Sequence, residues 1–134
     1  MNEKKPAIRV RQVMQSNFTT IGGMTTVADA LEKLTIENDS ALLVDKRHDD
    51  DEYGLLLISD IARHVLAKDK NPERVNVYEI MAKPVLSVHP EMDIKYCARL
   101  LQRFDLTRAP VLENQIAVGL VSFENLVLRG LSDR

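Results

Sequence analysis

Apolar and polar positions follow two periods along this chain, and the same order of periods is read twice. "FTTI" (18–21) is a short stretch that predicts a strand. Thr26 then stands where a helix begins, with a side-chain oxygen able to accept a free backbone N–H. Val27, Ala30, Leu31 and Leu34 recur at i, i+3, i+4 and i+7, one face of that helix. "ALLV" (41–44) and the run opening "GLLLISDI" (54–61) are joined by the polar "DKRHDDDE", which predicts a hairpin. The second run ends in a carboxylate, Asp60, where a helix is expected to start and run through "IARHVLAK".

The second reading begins 67 residues later. "VRQVM" (10–14) returns as "VYEIM" (77–81), Phe18 falls on Val85 and Ile21 on Val88. The same offset takes Thr26 to Asp93, Val27 to Ile94, Ala30 to Cys97, Leu34 to Leu101 and "ALLV" to "RAPV" (108–111). It then drops to 65, so that "GLLLISDI" falls on "GLVSFENL" (119–126); the extra two residues lie in the acidic loop. The second copy has its own strand, "VLSV", its stripe of Ile94, Cys97, Ala98 and Leu101, its turn "ENQ" and its closing helix "LVLRGL". Each copy predicts a β-α-β-β-α unit of about 55–60 residues, which is small to stand alone. The expected fold is α+β: two repeats, 8–68 and 77–131, packed face to face about a pseudo-twofold axis. A linker, 69–76, carries Pro72, and the ends, 1–7 and 132–134, are expected to be flexible. Such packing leaves clefts between the halves, where small-molecule sites form.

Composition narrows the classes. The 134 residues are 45% apolar and 28% charged with net charge −2, the signs interspersed, which argues against a nucleic-acid surface. Cys97 is the one cysteine and cannot form an intramolecular disulfide, which fits a reducing, cytoplasmic setting. "MNEKKPAIRV" precedes no apolar segment and does not read as a signal peptide. No apolar run is long enough to span a membrane.

The order "V-x-x-V/I-M", short strand, capped helix, "(A/R)-x-x-V" and "G-L-(L/V)-(L/S)-x-x-(D/N)-(I/L)", present twice over residues 8–131, resembles a CBS domain; two in tandem make a Bateman module. The resemblance implies an adenosine-containing ligand in the cleft between repeats and regulation of a partner protein. It implies that an Asp ending each repeat binds ribose hydroxyls, that a Thr or Ser three residues earlier helps, and that adenine packs on the strand opening the other repeat. In the first site so implied, Asp60 is the ribose acid and Leu57 replaces the hydroxyl. Lys83, Pro84, Val85 and Leu86 form the facing strand, Arg108 with Thr107 takes the phosphate side, and Arg63 is a candidate to face the cleft. The second, weaker site has Ser122, Asn125 in place of the acid, and the facing strand of Phe18, Thr19 and Thr20. Its phosphate side, "DSA" (39–41), has no base and adds Asp39. A carboxylate and a guanidinium fork make the stronger bonds to ribose and phosphate, so the first site is favoured for AMP, ADP or ATP.

Two roles stay open for Asp60, helix cap and ligand contact, because Asn125 in the twin would cap equally well. His48 beside its acids reads as a solvated loop rather than a metal site, and Cys97, Met14 and Met81 read as packing residues. No paired base and nucleophile, phosphate loop or metal-ligand spacing points to an enzyme. The expected function is a stand-alone regulatory module whose ligand is a regulator and not a cofactor. A homodimer is expected, with Leu66, Leu126, Val127 and Leu131 as contact candidates. The competing reading is a degenerate CBS pair that serves as a structural or dimerisation module without ligand.

Overall fold

The computed structural model describes residues 6–83 and 86–132, so Pro84, Val85 and most of the expected flexible ends lie outside the described residues. The fold is α+β and divides by packing into two units. The first unit is Phe18–Val85; the second combines Met1–Asn17 with Leu86–Arg134. The units therefore exchange their leading segments relative to the sequence repeats.

In the first unit, β1 (Thr20–Ile21) lies parallel to β2 (Ala41–Val44), and β2 pairs antiparallel with β3 (Gly54–Leu57). The helix α2 (Val27–Glu37) joins β1 to β2. Thr26 caps it by accepting from the Asp29 N–H at 3.1 Å, as its position predicts. Asn38 ends it in the left-handed conformation (φ 50°), which Asn tolerates better than most residues. Val27, Ala30 and Leu34 enter the core with Leu42, Val44 and Leu56. Leu31, expected on the same stripe, is 38% exposed. The buried face of α2 is therefore narrower than the apolar stripe. The closing helix starts as α3 (Ile58–Ile61) and widens into a π-helical turn, Ala62–Leu66.

The second unit repeats this plan around α4 (Ile94–Arg103), β4 (Arg108–Glu113) and β5 (Ile116–Ser122). Asp93 caps α4 through the Lys95 N–H at 2.8 Å. The β4–β5 turn puts Asn114 and Gln115 at φ 52° and 66°, the pair of positive angles a tight hairpin needs. A π-helical segment, Asn125–Leu131, closes the unit. Val85 of the expected strand "VLSV" lies outside the described residues, and residues 86–88 make one parallel bridge, Val88 to Val111. In the first unit the Leu43 N–H donates to Thr19 at 3.0 Å. The residue matching Leu43 is Pro110, which has no N–H to give, so that bond is missing.

The leading segments interlock with strands of the opposite repeat, and the two interlocks match residue for residue. The helix α1 (Val10–Val13) packs in the second unit, where Gln15 and Leu120 exchange backbone bonds of 2.8 and 2.9 Å. The 3₁₀ turn Val77–Glu79 packs in the first, where Leu55 and Ala82 exchange bonds of 3.2 and 3.0 Å. Val10 and Val77 are fully buried. The Arg9 N–H donates to Gln12 Oε1 and the Asn76 N–H to Glu79 Oε2, both at 2.7 Å. Residues 69–76 connect the repeats and also pack: Pro72 opens a 3₁₀ turn, and Val75 is buried in the first core.

Each interlock needs a glycine. A Cβ on Gly119 would stand 2.6 Å from Met14 Sδ and 3.0 Å from the Gln15 carbonyl oxygen. One on Gly54 would stand 2.6 Å from Met81 Sδ and 3.2 Å from Val44 Cβ. The expected symmetry of Met14 and Met81 thus has its cause: each sulfur lies over a strand that has no side chain at that point.

The acidic loop between β2 and β3 is organised around Asp51. Its carboxylate accepts from the Arg47 N–H at 3.0 Å and Nε at 3.2 Å, and pairs with Lys83 Nζ. These bonds, Lys83 first, hold the Asp51 carboxyl well below the usual carboxylate range.

Two outcomes follow for stability. Gly119→Ala, which meets backbone, should lower stability by about 1–3 kcal/mol in urea unfolding, and Gly54→Ala by less, because the Met81 thioether can turn aside. Equal losses would contradict the interlock. Asp51 gains its partners only when folded, so its contribution is complete above about pH 4 and is lost as pH falls through and below that value. The urea midpoints of wild type and Asp51→Leu should differ at neutral pH and converge toward pH 2 or so.

Candidate functional site

The position of Asp60 differs from the expected cap. Leu57 is extended (φ −105°, ψ 154°) and is itself the N-cap of α3, which places Asp60 in the first helical turn. The helix starts earlier than the apolar run suggests because it follows β3 without a connecting residue. From that turn Asp60 Oδ2 reaches back to accept the Leu57 N–H at 2.9 Å. Among the described residues its other oxygen makes no hydrogen bond, and the side chain is half-buried.

Asn125 does the same work in the second unit. Its Oδ1 accepts from the Ser122 N–H at 3.1 Å, and its own N–H donates to Ser122 Oγ at 3.2 Å. That is a reciprocal capping box. The first unit keeps only one arm, since Leu57 has no side-chain acceptor.

Within each unit the structure brings together the ribose-side position of one expected site and the phosphate-side positions of the other. Beside Leu57 and Asp60 lies the "DSA" stretch: Ala41 is opposite Leu57, and Ile58 N–H donates to the Ser40 carbonyl at 3.1 Å. Beside Ser122 and Asn125 lie Thr107 and Arg108. Arg108 is opposite Ser122 in the ladder, and Phe123 N–H donates to the Thr107 carbonyl at 3.0 Å. The local charge differs accordingly, with Asp39 and Asp60 in the first unit and Arg108 beside an amide in the second.

The remaining candidates divide between the units. Phe18 and Thr19 are half-buried and Thr20 exposed at the start of the first unit, and Arg63 is exposed on its π turn. Lys83 is tied to Asp51 in the acidic loop, which the polar run alone predicts to be solvated; the two-residue excess of that loop is the one sign of the pairing. Leu86 packs against the second core. Among the described residues no group of three or more His, Cys, Asp or Glu is placed to hold a metal. Cys97 is buried, and burial pushes its thiol up to about 11. Among the described residues no helix is long and apolar enough to cross a membrane.

Of the dimer candidates, Leu66 (78%), Val127 (48%) and Leu131 (57%) are exposed. Leu126 is 3% exposed and packs in the second core, because the π-helical segment turns it toward Val121 and Ile94 rather than outward.

Known proteins share this plan. The CBS domain model matches residues 10–67 and again 77–131. The hexameric CBS-CP12 protein from bloom-forming cyanobacteria superposes with a TM-score of 0.88 and 35% identity, over 91% of this chain and 70% of that one. The CBS domain pair of protein MJ0100, solved with 5′-methylthioadenosine and S-adenosyl-L-methionine, superposes with a TM-score of 0.82 and 21% identity, over 96% of this chain and all (100%) of that one. An uncharacterized protein of Methanopyrus kandleri is 25% identical over 89 residues, 66% of this chain. The chain spans 44% of the length of that relative and 24% of another, a homoserine O-acetyltransferase of Methanococcus vannielii. With both repeats matched in order and the matching elements in place, the chain belongs to the CBS domain family as a tandem pair.

Proposed function

We propose that this CBS pair is a regulatory module that binds an adenosine-containing ligand and passes the binding to a partner protein. The observation that carries the reading is the surplus charge of Asp60. Its twin Asn125 satisfies the same backbone N–H without a charge, so capping alone asks for no carboxylate. The oxygen left over suits a pair of ribose hydroxyls, and a charged acceptor makes the stronger bond. Arg108, whose guanidinium matches phosphate oxygens, supplies the phosphate side, with Thr107 beside it. The adenine side falls to Leu86 with Pro84 and Val85, which lie outside the described residues, and Arg63 is a further candidate contact. Ser122 and Asn125 with Phe18, Thr19 and Thr20 form the weaker second site. Support also comes from MJ0100, whose CBS pair holds two adenosyl compounds in the same fold. The ligand acts by favouring one arrangement of the module through its differential affinity. A reducing, cytoplasmic setting belongs to the same reading.

The module pairs with a second copy through its exposed helical faces. Leu31, Ile58 and Leu66 line a groove of about 350 Å³ in the first unit, and Val127 and Leu131 with Ile94 line one of about 270 Å³ in the second. These grooves also fit the competing reading, a structural or dimerisation module without ligand.

Thermal unfolding with AMP, ADP, ATP, S-adenosylmethionine and NAD separates the two. A ligand at about 100 times its Kd adds about 2.7 kcal/mol, roughly a 10 °C rise for a chain of this size. Asp60→Asn should leave the unliganded midpoint within about 0.5 kcal/mol of wild type and abolish most of the rise. Arg108→Ala should weaken ATP more than adenosine. A flat response to every compound would leave only the structural reading. In sedimentation, Leu66→Glu combined with Leu131→Glu should convert a dimer to a monomer; an unchanged mass would remove the proposed contact.

A further inference from the structure

The first unit carries a second concavity at the end of its hairpin remote from Asp60. Leu57, whose N–H donates to Asp60, lies opposite Ala41 at the start of β2, whereas this pocket opens beside Val44 at the strand's other end. It encloses about 420 Å³, within the range of small-molecule sites. Val44 is fully buried, and Met81 packs against the core. Met24 and Tyr78, also lining residues, are 72% and 51% exposed. Two large side chains with apolar surface thus stand in water beside a cavity that could cover them. Methionine adapts its shape to what it contacts, and tyrosine offers a flat face.

The polar lining is Lys83, Arg47 and Asp45. Asp51, 9% exposed and outside the lining, holds the two cations side by side, with Oδ1 on Lys83 Nζ and Oδ2 on Arg47 Nε. Among the described residues neither cation makes a further side-chain hydrogen bond. An ammonium carries three donors and a guanidinium five, so most of this donor capacity remains available. Asp45 Oδ1 accepts from the Lys46 N–H, and its second oxygen remains an acceptor.

We propose that this pocket is a further ligand site, distinct from both adenosine positions, for a small organic anion with a planar apolar body and one N–H or O–H donor. The anionic group pairs with Lys83 and Arg47, the body lies against Met24, Tyr78 and Val44, and the donor bonds Asp45. The assignment moves Lys83 from the adenosine site to this one. It stands apart from the adenosine reading, since neither Asp60 nor Arg108 lines the pocket.

Amide chemical shifts of the full chain, titrated with indole-3-acetate and with neutral indole-3-acetamide, test the site. Indole-3-acetate should shift Met24, Asp45, Tyr78 and Lys83 and bind about tenfold tighter than the amide, the difference a charged hydrogen-bond partner makes. Lys83→Met combined with Arg47→Met should remove that difference, and Asp60→Asn should leave it intact. Equal binding of acid and amide, or shifts centred on the helical grooves, would overturn the proposal. So would inorganic phosphate reproducing the same shifts at the same concentration, since the apolar walls would then play no part. If the double variant fails to fold, Tyr78→Ala at its exposed position decides: binding lost supports the site, and binding unchanged overturns it.

Discussion

Everything else in the chain is arranged around a thioether lying on a glycine. Met14 over Gly119 and Met81 over Gly54 bring a leading segment close enough to a strand for two backbone hydrogen bonds to form. Once those bonds are set, Val10 or Val77 falls into the core beneath, and the first turn of each segment is fixed by its own capping contact. Gly54 opens β3 and Gly119 stands in the middle of β5, each paired with the other strand of its hairpin. The interlock also means that neither repeat, taken in sequence order, holds a whole core. The second core needs residues 10–14, and the first needs residues 75–81. Contacts this distant in sequence slow folding.

The sequence carried local order well and partnership poorly, for physical reasons. Periodicity and capping chemistry are properties of neighbours, so α2, α4 and both hairpins, with Thr26 and Asp93 as caps, are legible from the residues alone. The exchange of "VRQVM" and "VYEIM" is not, because each pentapeptide would suit either core equally well. The glycines were the available sign, since glycine in a strand marks close approach of another backbone. Pro110 was a second sign: it has no N–H to give where its counterpart Leu43 donates to Thr19. Leu31 and Leu126 show the limit of apolar character as a guide. Leu31 lies on the predicted core stripe and is exposed, and Leu126 lies on a predicted surface and is buried. Which part of a helix is covered depends on what packs there, and that is a tertiary fact.

Comparison between the units clarifies the candidate site more than either unit does alone. Ser122 and Asn125 satisfy one another in a closed pair. Leu57 and Asp60 occupy the same places and satisfy one donor, with a charge in excess of the need. Such a charge, half-buried at the first turn of a helix, is tolerated because the N-terminal end of a helix favours anions. The twin thus separates what the backbone requires from what the first unit adds. The sequence singles out Asp60 and leaves its local role open, since the choice between cap and first-turn acceptor depends on where α3 begins.

The same comparison explains why the two hairpins have diverged. In the second unit, β4 and β5 stay paired to Glu113 and Ile116 and close through Asn114 and Gln115. In the first, pairing stops at Val44 and Gly54, and two more residues enter the connection. That connection cannot complete a ladder, so its polar groups find partners elsewhere. Asp51 takes Arg47 from its own loop and Lys83 from the segment bridged to β3 at Leu55. A loop held from both ends leaves space between Val44 and Tyr78 that a tight turn would have closed. A difference of two residues between otherwise matching halves thus accompanies the pocket beside Val44.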